Sequence, residues 1–278
     1  MTIEETVKLA LAEDLGDGDH TSLATIPADA KGKAELIAKE NGILAGVSVA
    51  TEVFKQVDPD INVRFLKKDG SPILQGDRIC IIEGRARPIL SAERTALNFL
   101  QRMSGIATYT NKVVHKLEGL PTKLLDTRKT TPCNRTIEKL AVKIGGGHNH
   151  RFGLFDMIMI KDNHIDFAGG VSDAIVATQK YLKEKNKDLK IEIEVRNFQE
   201  LREVMQQGGV HRIMLDNFSP DDLLMAVQVI DKQFETEASG GITLNNIREY
   251  AETGVDYISV GALTHQIKSL NMSLKAIK

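Results

Sequence analysis

The sequence predicts an α/β protein in which a small α+β domain precedes a short barrel of parallel strands. Between residues 31 and 88, short apolar or β-branched segments are separated by Gly, Pro and Asp, which is typical of a compact antiparallel unit. From about Ile106 onward, strand and helix patterns alternate. A functional side chain or a glycine follows nearly every one of these strands, and a parallel barrel has its active site at that rim.

The first domain is predicted to span residues 1–105. Its first helix begins with a capping box formed by Thr2 and Glu5. A second helix begins at Ser91 and carries Arg94 on a polar face. From the residues alone, Arg94 is expected to be an ordinary surface residue, and this domain shows no chemistry of its own.

The second domain is predicted to span residues 106–265. Its strands are expected at Lys123–Leu125, Met157–Ile160, Ile191–Val195, Ile213–Leu215, a weaker segment ending at Ala238, and Tyr257–Val260. Helices are expected at Asp173–Glu184, Phe198–Gln207, Asp221–Phe234 and Leu244–Thr253. A typical eight-unit barrel needs about 250 residues, so a barrel with fewer than eight strands is expected here.

Composition indicates a soluble enzyme. The 278 residues are 42% apolar and 27% charged, with a formal net charge of −2, which gives no electrostatic signature of nucleic-acid or membrane binding. Two cysteines, Cys80 and Cys133, do not make a disulfide framework or a metal site. No apolar run approaches roughly 20 residues, and the N-terminus lacks a basic segment before an apolar core. A cytoplasmic protein with neither nucleic-acid nor membrane partners is therefore expected.

One stretch, residues 126–164, concentrates positive charge in an otherwise near-neutral chain. Pro132 and the glycines 145–147 interrupt it, so it does not form the mixed-charge face of a solvated helix. Burying several cations together is costly unless anions compensate them. Structural salt bridges to Glu194 or Asp216 are one explanation, and a small polyanionic ligand is the favoured one. The cations are Arg128, Lys129, Arg135, Lys139, Lys143, His148, His150, Arg151, Lys161 and His164.

Three residues at predicted strand ends indicate the chemistry. Lys161 could form a Schiff base, as in an aldolase barrel, or hold a carboxylate or phosphate as a fixed charge, and the neighbouring Arg and His favour the second role. Glu194 and Asp216 suit ribose hydroxyls, a developing positive charge, or a Mg²⁺ ion that also binds phosphates. Glu192 shares a strand face with Glu194 but lies further from the rim, so it ranks lower.

Two glycine-containing loops near the end of the barrel predict a phosphate site. Ser239–Gly241 and Val260–Ala262 each follow a strand and precede a helix, where backbone N–H groups are open to an anion. No Walker A sequence and no dinucleotide fingerprint is present. The sequence therefore predicts an enzyme that acts on a phosphorylated sugar and a small acid.

Several motifs closely resemble the quinolinate phosphoribosyltransferase family, also called nicotinate-nucleotide pyrophosphorylase (carboxylating). They include D-T-R-K-T-T-P, E-K-L-A-V-K-I-G-G-G-x-N-H-R-x-G-L-x-D, I-K-D-N-H, I-E-V-R-N, L-D-N-F and E-A-S-G-G-I, in the family's order over essentially the whole chain. One departure is Cys133-Asn134, where the family usually has Gly-Leu or Gly-Phe.

The resemblance implies a fold, a reaction and an assembly. The fold is an N-terminal α/β sandwich domain followed by an incomplete α/β barrel, with a last helix over residues 266–278 that packs on the first domain. The reaction transfers phosphoribosyl from phosphoribosyl pyrophosphate to quinolinate, with Mg²⁺, and gives nicotinate mononucleotide, pyrophosphate and CO₂ for NAD biosynthesis. The assembly is a homodimer with shared active sites, and the choice between dimer and hexamer stays open.

The resemblance also implies a role for each site residue. The catalytic residues are Lys129, Lys161, Glu194 and Asp216. The pocket for the two carboxylates and the pyrophosphate is implied to consist of Thr127, Arg128, Lys129, His150, Arg151 and Lys161, completed by Arg94 from a neighbouring subunit. Glu194 and Asp216 are implied to hold ribose hydroxyls and Mg²⁺. The 5′-phosphate is implied to bind to Ser239, Gly240, Gly241, Val260, Gly261 and Ala262.

Three alternatives remain open at this stage. A relative that uses nicotinate would not decarboxylate and would not need cations for two carboxylates. A phosphosugar aldolase or isomerase would use the Lys161 amine, which borohydride would trap with substrate. A non-catalytic sensor would bind phosphoribosyl pyrophosphate without turnover.

Overall fold

The computed structural model describes residues 1–277. Its helices are α1 (Ile3–Leu15), α2 (His20–Thr25), α3 (Val47–Val57), α4 (Ala86–His115), α5 (Arg135–Ile144), α6 (Asp162–Ala168), α7 (Val171–Lys185), α8 (Phe198–Gln207), α9 (Pro220–Ile230), α10 (Ile247–Glu252) and α11 (Ala262–His265). Its strands are β1 (Lys31–Ala38), β2 (Gly42–Ile43), β3 (Asn62–Phe65), β4 (Pro72–Ile73), β5 (Arg78–Arg85), β6 (Lys123–Leu125), β7 (Ile158–Ile160), β8 (Ile191–Val195), β9 (Arg212–Asp216), β10 (Glu235–Ser239), β11 (Tyr257–Ser259) and β12 (Met272–Ile277). None of the helices described combines the length and the apolar character needed to cross a membrane.

The first compact unit contains residues 1–111, residues 129–146 and the segment from residue 263 onward. Its antiparallel sheet has the order β12-β1-β5-β3. In β1 every second residue from Ala34 is buried, so this strand has one core face and one partly exposed face. At the start of α1, Thr2 and Glu5 form the predicted capping box.

The segment expected to end the chain as a helix forms a strand instead. Met272–Ile277 pairs antiparallel with β1, from Ala38 opposite Met272 to Lys33 opposite Ile277. The predicted helix over residues 266–278 is therefore wrong, since residues 266–271 form no helix and residues 272–277 form a strand. The physical reason is that Met272 and Leu274 alternate with more polar neighbours, and this two-residue period suits a strand that satisfies the open edge of β1.

The two compact units are divided at other residues than the predicted domains of 1–105 and 106–265, which stay a prediction. Helix α4 continues through that division, because Met103, Ile106 and Ala107 extend its buried face and no proline interrupts it there. Residues 129–146, which include α5, also belong to the first unit.

The second unit contains residues 112–128 and 147–262 and is built on a parallel sheet. Its six strands have the order β6-β11-β10-β9-β8-β7, with β6 and β7 at the two edges. This sheet is the incomplete barrel that the sequence predicts, with fewer than eight strands. Helices α7, α8 and α9 follow β7, β8 and β9 as strand-to-strand connections.

The two faces of this sheet differ sharply in polarity. One face is apolar and buried, and consists of Ile191, Ile193, Val195, Ile213, Leu215, Ala238 and Ile258. The other face follows from the two-residue period and consists of Glu192, Glu194, Arg212, Met214, Asp216, Glu235, Glu237, Ser239, Tyr257 and Ser259. Barrel interiors are usually filled by Val, Ile and Leu, so a charged face of this size indicates a functional interior.

Candidate active site

Four predicted site residues of the second unit lie at the carboxyl ends of its parallel strands. Lys161 directly follows β7, Glu194 is the penultimate residue of β8, and Asp216 and Ser239 end β9 and β10. Asp216 is paired in register with Ser239. The parallel order therefore brings these four residues to one rim. The other predicted residues of this unit are Thr127, Arg128, His150, Arg151, Gly240, Gly241, Val260, Gly261 and Ala262, whereas Arg94 and Lys129 belong to the first unit.

Lys161 and Glu194 form an ion pair at the rim. Lys161 Nζ donates to Glu194 Oε2 at 2.5 Å. The Glu194 side chain is nearly buried and Lys161 is half-exposed, so the ammonium compensates a carboxylate that has little access to water. A lysine amine that is engaged by a carboxylate is not free to attack a carbonyl. The pair thus favours the fixed-charge role of Lys161 over the Schiff-base role.

Asp216 is held by its neighbours on the same rim. Ser239 Oγ donates to Asp216 Oδ1 at 2.5 Å, and Asn217 Nδ2 donates to Asp216 Oδ2 at 2.7 Å. Asn217 N also donates to Ser239 O at 2.8 Å, which joins the ends of β9 and β10. These bonds fix the carboxylate and leave lone pairs on both oxygens for a further partner.

Gly240 lies against Asn217 and has a left-handed backbone. Its φ is +89°, and a Cβ atom at this position would be 2.1 Å from Asn217 Oδ1. No side chain fits there, so the backbone after β10 stays open to a ligand. This is the arrangement that a phosphate-binding loop requires.

Arg128 and Arg151 lie close enough to influence each other. Burial lowers the pKa of Arg151, and the charge of Arg128 lowers that pKa further. Arg151 Nη1 donates to Met157 O at 3.1 Å, whereas the buried Arg151 Nε has no hydrogen-bond partner among the described residues. A guanidinium group with an unsatisfied buried N–H, close enough to a second guanidinium to feel its charge, indicates a site for an anion.

A buried charged cluster lies on the polar face of the same sheet. His150 Nε2 is 3.0 Å from Glu192 Oε2 and 3.4 Å from Glu237 Oε2, and Arg212 Nη1 is 2.9 Å from Glu237 Oε2. Both glutamates have 0% side-chain exposure and His150 has 5%. The cluster is therefore inside the protein, and its charges compensate one another.

Protonation of this cluster is shifted from ordinary values. Burial lowers the pKa of His150, but the contacts with Glu192 and Glu237 outweigh it and raise that pKa to about 9. Burial and the neighbouring Glu237 raise the pKa of Glu192 to about 7. Burial by itself would raise the pKa of Glu237. The contacts with His150 and Arg212 outweigh burial and lower that pKa. In a cluster this tight, the bound proton belongs to the group as a whole.

Sequence reasoning missed two members of this cluster. Glu237 and Arg212 were not predicted, and Glu192 was ranked below Glu194. A signal was available, because E-T-E-A-S places Glu235, Glu237 and Ser239 on one strand face by the two-residue period. Sequence alone did not reveal that parallel neighbours bring Arg212 against Glu237.

Cys133, the departure noted above, adopts an unusual backbone. Its φ is +64°, in the left-handed region that favours glycine, and its thiol is exposed. The next residue, Asn134, caps α5 without a side-chain hydrogen bond. The loop thus keeps a glycine-like conformation although the glycine is absent.

Comparison with known proteins identifies the family. The sequence profile described as "Quinolinate phosphoribosyl transferase, N-terminal domain" matches residues 19–104, and the profile described as "Quinolinate phosphoribosyl transferase, C-terminal domain" matches residues 106–275. The chain belongs to the quinolinate phosphoribosyl transferase family. The resemblance predicted from the sequence is thereby confirmed.

Individual relatives agree with this membership. The chain is 46% identical to the chloroplastic nicotinate-nucleotide pyrophosphorylase (carboxylating) of Arabidopsis thaliana, over 98% of this chain and 82% of that protein. It is also 46% identical to the mitochondrial quinolinate phosphoribosyltransferase (decarboxylating) 2b of Nicotiana tabacum, over 98% and 82%. The solved structure of the nicotinate-nucleotide pyrophosphorylase from Francisella tularensis superposes with a TM-score of 0.92 and 42% identity, covering 99% of this chain and 96% of that chain.

Proposed function

We propose that the rim formed by the strand ends of the second unit binds quinolinate and phosphoribosyl pyrophosphate and joins them. The chain is a pentosyltransferase of its family, and the reaction transfers phosphoribosyl to the quinolinate nitrogen with loss of pyrophosphate and CO₂. The product, nicotinate mononucleotide, is a precursor of NAD. The observation that carries the site assignment is the pair Arg128 and Arg151, with the unsatisfied buried Nε of Arg151.

Cations bind the acid. Quinolinate carries two adjacent carboxylates, and guanidinium groups bind carboxylates through two parallel hydrogen bonds. Arg128 and Arg151 are assigned to this role, and the family resemblance assigns Thr127 and Lys129 to it as well. Holding both carboxylates orients the ring nitrogen toward C1 of the ribose and removes the entropy cost of that alignment from the chemical step.

Carboxylates and backbone bind the sugar phosphate. Glu194 and Asp216 accept hydrogen bonds from ribose hydroxyls, and they stabilise the positive charge that develops on the ribose as pyrophosphate departs. The open backbone after β10 and β11 binds the 5′-phosphate through Ser239, Gly240, Gly241, Val260, Gly261 and Ala262. The lack of space for a Cβ at Gly240 supports this assignment.

Mg²⁺ fits the carboxylates of this rim. Glu194 and Asp216 supply only oxygen donors, which are the ligands that Mg²⁺ prefers, and this ion is commonly held by one or two carboxylates together with substrate phosphates. When bound, Mg²⁺ would neutralise charge on the departing pyrophosphate. Lys161 adds a fixed positive charge from the chain itself, because its ammonium is already held at Glu194.

Decarboxylation needs no side-chain nucleophile. Once the ring nitrogen carries ribose, the positive pyridinium stabilises the electron pair that the breaking C–CO₂ bond leaves on the ring carbon, and a proton from water then bonds to that carbon in place of the CO₂. The protein has to hold the ring, and Arg128 and Arg151 do so. The absence of an activated Ser or Cys from the proposed roles is consistent with this chemistry.

Assembly and location are further parts of the proposal. Arg94 is assigned to the pocket of a neighbouring subunit, which makes the functional form a homodimer with shared sites, and a hexamer would contain the same pairs. A cytoplasmic location is proposed from the sequence expectation.

The test is product formation from quinolinate, phosphoribosyl pyrophosphate and Mg²⁺, with nicotinate as the parallel substrate. We expect one CO₂ and one nicotinate mononucleotide per quinolinate consumed, no turnover of nicotinate, and no turnover after chelation of Mg²⁺. Turnover of nicotinate instead would reassign the cationic pocket. Binding of phosphoribosyl pyrophosphate without turnover of either acid would contradict the enzymatic proposal and favour a sensor.

A further inference from the structure

We propose that Glu192 and Glu237 are positioning residues that anchor the His150 ring and, through it, present Arg151 to the substrate acid. In this scheme His150 acts on the protein segment that carries Arg151. The inference rests on the proposed function of Arg151 and deepens it. It concerns residues that lie beneath the rim, where no substrate atom needs to reach.

Residues 149–151 are fixed by a set of short hydrogen bonds. The buried Asp126, directly after β6, accepts from His150 N at 2.8 Å and from Asn149 Nδ2 at 2.6 Å. His150 Nδ1 in turn accepts from Arg151 N at 2.6 Å. The backbone of Arg151 therefore depends on the orientation of the His150 ring.

The same contact decides which ring nitrogen of His150 carries the proton. A backbone N–H can donate only to an unprotonated nitrogen, so Nδ1 is the acceptor and the ring proton lies on Nε2. Nε2 faces Glu192 Oε2 at 3.0 Å and Glu237 Oε2 at 3.4 Å. The two carboxylates thus select one tautomer and one ring orientation, and any further proton of the cluster lies with the carboxylates.

The carboxylates of Glu192 and Glu237 are themselves held in place by Arg212. Arg212 Nη1 lies 2.9 Å from Glu237 Oε2 and 4.0 Å from Glu192 Oε2. The guanidinium of Arg212 also pairs with Glu235 and lies 3.9 Å over the ring of Tyr257. This buried cation balances one carboxylate charge and makes the cluster a poor site for a metal ion.

Replacement of Glu192 or Glu237 is expected to weaken quinolinate binding in particular. With the neutral amide of glutamine in place of either carboxylate, the N–H of Nε2 faces a weaker acceptor, and the ring is held less firmly against Arg151 N. The guanidinium of Arg151 then becomes less well placed for a carboxylate of quinolinate. Phosphoribosyl pyrophosphate is assigned to Glu194, Asp216 and the glycine loops, so its binding is expected to be affected much less.

The kinetic test compares Glu192→Gln and Glu237→Gln with the wild-type protein. We expect KM for quinolinate to rise about tenfold in each variant, equivalent to about 1.4 kcal/mol, while KM for phosphoribosyl pyrophosphate changes by less than about twofold. Glu235→Gln is the matched control, because Glu235 lies on the same strand and also pairs with Arg212. The control is expected to leave both KM values within about twofold of wild type. Equal changes in both KM values, or no change, in the two test variants would overturn the inference.

A second measurement needs no variant in the cluster. Two-dimensional ¹H–¹⁵N NMR of the wild-type protein, with His150 assigned by comparison with His150→Gln, reports which ring nitrogen is protonated. We expect a proton on Nε2 and none on Nδ1. A protonated Nδ1 would contradict the anchoring arrangement even if Glu237→Gln failed to fold.

Arg151→Lys separates this inference from the proposed function. If Arg151 binds the acid, this variant raises KM for quinolinate by itself. If it does not, the assigned role of Arg151 fails, whereas the NMR result still decides whether the carboxylates anchor His150. A raised KM in Arg151→Lys with unchanged KM in both glutamate variants would reject only the anchoring.

Discussion

Gly240→Ala tests whether the backbone after β10 is a phosphate loop that tolerates no side chain. Gly240 has a φ of +89°, and left-handed backbone destabilises an alanine by about 1–2 kcal/mol. The added Cβ would also lie 2.1 Å from Asn217 Oδ1 and 2.9 Å from Asn217 N. Asn217 must then move, although it bonds to Asp216 and to Ser239 O. Each of these two bonds is worth about 0.5–1.5 kcal/mol and is weakened and not lost, so a total loss of about 2–4 kcal/mol is expected.

Gly241→Ala is the matched control for this experiment. Its φ of +63° carries the same left-handed penalty, but a Cβ added to Gly241 would meet nothing within 4 Å. Its expected loss is therefore only about 1–2 kcal/mol. The difference between the two variants isolates the displacement of Asn217 from the backbone effect.

Urea unfolding and steady-state kinetics provide the assay. We expect Gly240→Ala to be less stable than Gly241→Ala by about 1–2 kcal/mol and to raise KM for phosphoribosyl pyrophosphate at least about tenfold more. If the two variants unfold at the same urea concentration with the same KM, close packing of Gly240 on Asn217 has no energetic role, and the reasoning is refuted.

Three further predictions concern the loop before α5, the shared site and the buried cluster. Cys133→Gly is expected to stabilise the chain by about 0.5 kcal/mol in urea unfolding. The reason is that glycine relieves the left-handed backbone at φ +64°, and this gain exceeds the entropy that glycine adds to the unfolded state. Cys133→Ala should show no such gain. Arg94→Ala and Lys129→Ala should each be inactive. If each site takes Arg94 from the neighbouring subunit, an equal mixture of the two variants refolded together should recover up to about a quarter of wild-type activity. No recovery would contradict shared sites. The folded cluster around His150 binds its proton more tightly than the unfolded chain, so its stabilisation is complete below pH 6.5 and is lost as pH rises toward about 9. The loss is about 3 kcal/mol, and it should be absent from the double variant Glu192→Gln/Glu237→Gln, because that variant lacks the carboxylates that hold the cluster's proton; an unchanged pH dependence in that variant would count against the cluster as its source.

Strand and helix positions in the second unit were predictable because apolar runs and turn residues are local signals. Lys123–Leu125, Ile191–Val195 and Phe198–Gln207 agree with the structure at both ends. The rim was predictable for the same reason, since parallel strands place their carboxyl ends together whatever their lateral order. Lys161, Glu194 and Asp216 could thus be grouped without any knowledge of which strand neighbours which.

Lateral contacts were not predictable from one sequence. The order β6-β11-β10-β9-β8-β7 and its register bring Arg212 to Glu237 and His150 to Glu192, and no local pattern encodes that pairing. The helix prediction for residues 272–277 was wrong for another reason. Its period-two alternation was present, but the partner strand β1 is more than two hundred residues earlier in the chain, so the family expectation of a helix was preferred.

The pairing of β12 with β1 also has a consequence for the order of folding. During synthesis from the N-terminus, β1 and β5 can pair early, yet one edge of β1 stays open until residues 272–277 have left the ribosome. In that interval β1 offers a row of unpaired N–H and C=O groups, which is a template for wrong pairing with another chain. The second unit, whose strands come from residues 123–259, can assemble before the first unit's sheet is complete. Folding in the cell is therefore expected to finish at the domain that is synthesised first.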